Sequence, residues 1–184
     1  MQHETEPPII RFFTRVCAQS IAALLQTCEH IESSGVSSVT LLLSTGGATD
    51  QGLTAYNYIR ACSLDVTTVN MGQVASIGAA LYCAGAKRIT MPNARFGFHP
   101  NVFNIKNESL GVYQLEEKAN QLRVKHESIA SIIASSTRLS VDDAKGLINE
   151  HRSLAATEAK DYGLAHDIEE FTLPVGCRVF NIQG

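Results

Sequence analysis

The chain has 184 residues, 45% of them hydrophobic and 18% charged, with a formal net charge of −3. That is ample for one globular domain with a sizeable core, and it leaves no basic surplus of the kind nucleic-acid binding draws on. No apolar run reaches the roughly 20 residues of a membrane-spanning helix, and Met1 to Pro8 is polar and acidic where a signal peptide is basic and then apolar, so a cytoplasmic protein is expected.

Short β-branched runs alternating with amphipathic stretches predict an α/β domain of parallel strands and crossover helices. Ile9 to Thr14 reads as the first strand, and Ala18 to Ser33 as a helix with an apolar stripe at Ile21, Leu24, Leu25 and Cys28. Val39 to Ser44 is the second strand and runs into Gly46-Gly47-Ala48. Two adjacent glycines let backbone N–H groups point outward, which suits a plain tight turn, an oxyanion hole or the pairing of an extended peptide. Asp50 to Cys62 is a helix and Val66 to Met71 the third strand.

Ser76 comes next, within Gly72-Gln73-Val74-Ala75-Ser76-Ile77-Gly78-Ala79-Ala80, where a strand gives way to a helix reaching Gly85. A serine in that place is either a helix N-cap or a nucleophile at the positive end of the helix, with backbone N–H groups at hand for an oxyanion. Arg88 to Met91 is a fourth strand that Pro92-Asn93 ends, and Phe96 to His99 is extended and delivers His99. A serine followed by a histidine in this order makes a serine hydrolase the first hypothesis.

From Glu108 to Ser136 a helix of about thirty residues would extend about 40 Å, more than so small a domain is wide, so part of it should project and find a partner. Ser140, with Asp143 three residues on, opens the next helix, and Gly163 closes the one ending at Tyr162. Cys17, Cys28, Cys62, Cys83 and Cys177 are odd in number and form no C-x-x-C pair, so they read as reduced core residues. The six histidines show no metal-ligand spacing, so no metal or other cofactor is expected, and His126 and His166 read as surface residues.

Taken in order, strand-Gly46-Gly47, then Gly-x-x-x-Ser76-x-Gly-Ala, then Pro92-Asn93-Ala94-Arg95 with His99 seven residues after the proline, the chain resembles the proteolytic subunit of the Clp protease from about Ile9 to Glu169. The segment Leu154-Ala155-Ala156-Thr157-Glu158-Ala159-Lys160-Asp161-Tyr162-Gly163-Leu164 resembles that family's C-terminal L-[ST]-x-x-E-A-x-x-Y-G-L stretch. The resemblance implies a crotonase-like spiral of β-β-α units in a single domain, with a head over 9–106 and 137–170 and a protruding handle helix over 107–136. It implies Ser76 as nucleophile, His99 as general base, and the N–H groups of Gly47 and Ile77 as the oxyanion hole. A peptide or protein substrate would lie extended along Gly46, Gly47 and Ala48 and along Pro100 and Asn101, in subunits assembled as homo-oligomeric, stacked rings.

The chain departs from that pattern twice. Counting back without a gap from Tyr162-Gly163-Leu164, the family's triad aspartate falls on His151, with Glu150 one residue earlier, so both stand as candidates for the third member. A neutral histidine there would hold the base in one tautomer but would not stabilise its imidazolium. Only Met1 to Pro8 precede the first strand, where longer family members carry an arm that helps dock an ATP-driven unfoldase, so dependence on such a partner is less expected. Two rival readings follow: a catalytically impaired ring subunit, favoured by His151, and a crotonase-type acyl-CoA enzyme, which shares the fold and the backbone oxyanion hole.

Overall fold

Strand β2 (Ser38–Thr45) carries three consecutive leucines, and its side chains sort onto two buried faces, as a central parallel strand requires. Leu41 and Leu43 join the main core with Phe12, Leu24, Tyr82 and Phe96. Leu42 joins Ile9, Val69 and Ile89 on the opposite face, with Met71, Phe171 and Cys177 packed against them. The structure, a computed structural model, describes residues 6–105 and 109–183.

Strands β1 (Ile9–Phe12) and β3 (Asp65–Ala75) flank β2 in parallel register. The others are β4 (Lys87–Thr90), β5 (Arg95–Gly97), β6 (Ser153–Ala155), β7 (Asp167–Ile168) and β8 (Val179–Asn181). Among the described residues they form one sheet ordered β6-β5-β3-β2-β1-β8, with β4 set between β3 and β7. The β5–β6 pair is antiparallel and the rest are parallel.

Strand β3 is long enough to take two partners in succession, β4 along Thr67 to Asn70 and β5 along Gln73 to Ala75. Asn70 is buried at the changeover, where it donates to the Arg95 carbonyl at 3.0 Å and accepts from the Gly72 N–H at 3.1 Å. It thereby satisfies backbone groups that the interrupted ladder leaves over. The consequence for the site is that β5, and the histidine after it, lies beside the last residues of β3.

The helices are α1 (Ala18–Ser33), α2 (Thr49–Ala61), α3 (Ile77–Cys83), α4 (Val112–Ser136), α5 (Val141–Asn149) and α6 (Ala156–Asp161). Helix α5 starts on the expected cap: the Asp143 N–H donates to Ser140 Oγ and the Ser140 N–H to Asp143 Oδ2, both at 3.1 Å. Helix α4 begins later than the expected handle, because Gly111 caps it and donates its N–H to Gln114 Oε1 at 2.9 Å. Residues 109–110 are not helical, and 106–108 lie outside the described residues.

At 25 residues α4 is about 37 Å long. Ile129, Ala130 and Ile133 bury its C-terminal half against α3 and α5, while Val112, Tyr113 and Leu115 stand exposed at its start, Tyr113 by 87%. The helix is therefore anchored at one end and projects at the other.

Three short strands escape the sequence reading. At two or three residues each, β6, β7 and β8 are too brief to show an alternation. Strand β8 carries the sheet beyond residue 170, pairing Val179 with Ile9, and buries Ile182. Cys28 and Cys83 are buried as expected, whereas Cys17, Cys62 and Cys177 are half-buried.

Candidate active site

Ser76 stands between the last residue of β3 and the first of α3 with φ 52° and ψ −122°, a backbone region that L-residues adopt only when the surroundings force it. The forces are visible. Its N–H donates to the Gly97 carbonyl at 2.7 Å, its carbonyl accepts from the Ala79 N–H at 2.9 Å, and every residue of α3 is buried. Gly78 lets the helix approach, since a Cβ there would collide with the carbonyl of Thr45 at the end of β2.

Gly46-Gly47-Ala48 runs out of β2 alongside Val16. The Val16 N–H donates to the Gly46 carbonyl and the Ala48 N–H to the Val16 carbonyl, each at 2.9 Å. Gly47 has φ 149°, and a Cβ on it would run into the Val16 backbone, so no other residue fits. Strands β2 and β3 lose register between Leu43 and Thr45, and a cleft of about 290 Å³ opens there, lined by Ser44, Thr45, Gly46, Gln73 and Ala75. It reaches the residue before Ser76. Larger hollows lie elsewhere, one of about 430 Å³ near Glu6, Ile31 and Arg178 and one of about 470 Å³ beside α5.

His99 follows β5 by two residues and is exposed. Its Nδ1 lies 3.1 Å from the Pro100 carbonyl oxygen. The antiparallel ladder that pairs Gly97 with Ser153 continues as the Phe98 N–H donates to the Arg152 carbonyl at 2.8 Å. His99 and His151 are each the next residue beyond that bond. His151 is exposed, with φ 54°. Glu150 caps α5, and its residue lines the hollow formed with Leu139, Asp142, Asp143 and Tyr162.

Asn101 is tied down twice. Its N–H donates to His126 Nε2 of α4 at 2.6 Å, and Thr49 Oγ1 at the start of α2 lies 3.1 Å from its Oδ1. Its N–H is therefore engaged within the chain rather than open to a substrate strand. Beside these contacts Lys125 of α4 pairs with Asp50 of α2 at 2.8 Å. Burial pushes the His126 imidazole below the usual histidine range.

Two histidines expected at the surface also tie segments together, His166 while staying exposed and His126 half-buried. His126 grips the segment after His99, and His166 accepts the Arg88 N–H at 3.2 Å while donating its own N–H to the Arg88 carbonyl at 2.8 Å. Burial and then the charge of Arg88 push His166 below its usual range. No local pattern marks either residue, because their partners lie 25 and 78 positions away.

A mostly parallel α/β domain in which a strained strand-to-helix serine turn is bonded to the strand leading toward a histidine joins the two residue types that serine peptidases use. The chain belongs to the Clp protease family, which matches residues 10–171. It is similar to ATP-dependent Clp protease proteolytic subunit 1 of Thermobifida fusca (strain YX), with 33% identity over 156 residues, 82% of this chain and 68% of that protein. Its fold is that of a ClpP1 mutant from Listeria monocytogenes, with a TM-score of 0.80 at 24% identity, covering 89% of this chain and 92% of the other. Among the described residues no helix is long and apolar enough to cross a membrane.

Proposed function

We propose that this chain is a serine endopeptidase subunit in which Ser76 attacks the scissile carbonyl and His99 takes its proton, returning it to the leaving amine. The observation that carries the reading is the Ser76 turn. Its backbone is held at φ 52° by the bond to Gly97, two residues before His99, and a fold maintains such strain where function requires it.

The oxyanion would be met by the N–H groups of Ile77 and Gly47. Ile77 is the first residue of α3 and so has no acceptor a turn behind it within the helix. The bonds that flank Gly47 run toward Val16, on the β1 side. The alternation of an extended segment then directs the Gly47 N–H to the β3 side, where Ser76 stands. Peptide substrate would lie extended by Gly46, Gly47 and Ala48, in the cleft where β2 and β3 part.

The subunit would assemble in homo-oligomeric rings that meet through the projecting half of α4. The Thermobifida relative is named as ATP-dependent. For this chain, short peptides that need no unfolding are the first substrates to test. A fluorophosphonate probe distinguishes the readings: labelling of the wild type and none of Ser76→Ala supports the nucleophile. Absence of labelling in every assembly state would instead support the impaired ring subunit, which His151 in place of an acid favours.

A further inference from the structure

The Pro100 carbonyl and the Asn101 N–H belong to one peptide group, and each end of it holds a histidine. A carbonyl oxygen only accepts, so in the neutral ring His99 Nδ1, 3.1 Å from it, is the nitrogen that carries the proton, which leaves on Nε2 the lone pair a general base needs. At the other end the Asn101 N–H only donates, so His126 Nε2, 2.6 Å away, is the unprotonated nitrogen of a neutral ring. The peptide group is planar, so turning one end turns the other. Donation from its N–H also polarises its carbonyl toward the His99 proton.

We propose that His126 is a positioning residue for His99: as a neutral acceptor it fixes the Pro100–Asn101 peptide plane, whose carbonyl holds the His99 imidazole in the Nδ1–H tautomer. This rests on the reading of His99 as the general base. The bridge does half of what an acid does for such a base, because it sets the tautomer and offers no counter-charge. Thr49 holds the Asn101 side chain from α2, so the peptide is clamped between two helices.

The charged neighbours do not replace it. Lys125 beside His126 pairs with Asp50 of α2, and Glu127 on its other side pairs with Lys145 of α5, so these ions neutralise one another. The remaining titratable group on the packed segment is His99 itself. Protonation of His126 would remove the lone pair that Asn101 requires and set one N–H against another. Its burial already favours the neutral form.

The test compares His126→Gln, whose Oε1 accepts at similar reach and does not titrate, with His126→Leu, which fills the space without an acceptor. Nitrogen-15 NMR of the full chain should show His99 as the Nδ1–H tautomer in the wild type and in His126→Gln, and a tautomer mixture in His126→Leu. With short peptides, His126→Leu should lose about tenfold in kcat at unchanged KM, and His126→Gln should restore most of that loss.

An unchanged His99 tautomer in His126→Leu would overturn the proposal, as would a His126→Gln variant that recovers none of the loss seen in His126→Leu. If the wild type hydrolyses no peptide while the leucine variant still shifts the tautomer, the positioning role stands and the peptidase reading fails.

Discussion

The N–H of Ser76 donates to the carbonyl of Gly97 at 2.7 Å, and this one bond joins the strained serine turn to the end of β5, two residues before His99. The turn occupies a backbone region nearly reserved for glycine, at a cost of roughly 1–3 kcal/mol. Ser76→Gly should relieve that strain and raise the unfolding free energy by about 1 kcal/mol while abolishing hydrolysis. Ser76→Ala should abolish hydrolysis with stability unchanged. Urea unfolding of the two variants side by side checks this, and equal stabilities would mean that the turn stores no strain.

His99 and His151 are each one residue beyond the Phe98–Arg152 bond, whereas Glu150 sits with Asp142, Asp143 and Tyr162 beside α5. His151→Asp should therefore supply the missing counter-charge and raise kcat at least about tenfold, within the roughly 10⁴ that an acid contributes in a serine-protease triad. Aspartate also tolerates the positive φ found there. Glu150→Gln should leave kcat unchanged. Steady-state kinetics on a short peptide decide, and the reverse pattern would make Glu150 the acid.

Arg88 is 8% exposed, and its guanidinium donates to four carbonyls, those of Gly85, Ser136, Gly163 and Leu164. These close the ends of α3, α4 and α6, so one side chain satisfies the outgoing groups of three helices. Arg88→Met should destabilise the fold by about 3 kcal/mol or more, because buried acceptors lose their partners. Arg88→Lys should recover little of it, since one ammonium does not span the diverging carbonyls. Denaturant midpoints of the three proteins measure the effect.

Within α4, the exposed Val112, Tyr113 and Leu115 can join subunits without carrying the core. Val112→Ser, Tyr113→Ser and Leu115→Ser together should leave the chain folded and break stacked rings, as judged by circular dichroism and light scattering. Removing the whole helix would be a different experiment, since Ile129 and Ile133 belong to the main core and Ser136 receives Arg88. An unchanged assembly in the triple variant would place the ring contact elsewhere.

Stability should decline on the acid side through His126 and His166, whose folded-state proton affinities both lie below the usual value of 6.5. A depressed value means that the unfolded chain binds more protons in this range, so stability is complete above about 6.5 and is lost as pH falls through the folded-state values. Thermal midpoints between pH 8 and pH 5 should show the fall. His166→Gln should flatten it, and a flat wild-type profile would contradict the assignment.

The order of elements was legible in the sequence because most of its signals are local. An apolar stripe marked α1, the Ser140–Asp143 pair marked the start of α5, and the two glycines after β2 marked a turn with outward-pointing N–H groups. The strand-serine-helix junction and the later histidine carried the family likeness that the match over residues 10–171 established. What tertiary structure decided is which distant groups meet. The split of β3 between two partners sets the strand before His99 beside the last residues before Ser76, and the Phe98–Arg152 bond brings the segments that hold His99 and His151 together. His126, 25 positions from Asn101, accepts the N–H of that residue, two places after His99. These outcomes depend on pairing register and helix packing across tens of residues, and a histidine's neighbours in sequence do not reveal which backbone group will reach its ring.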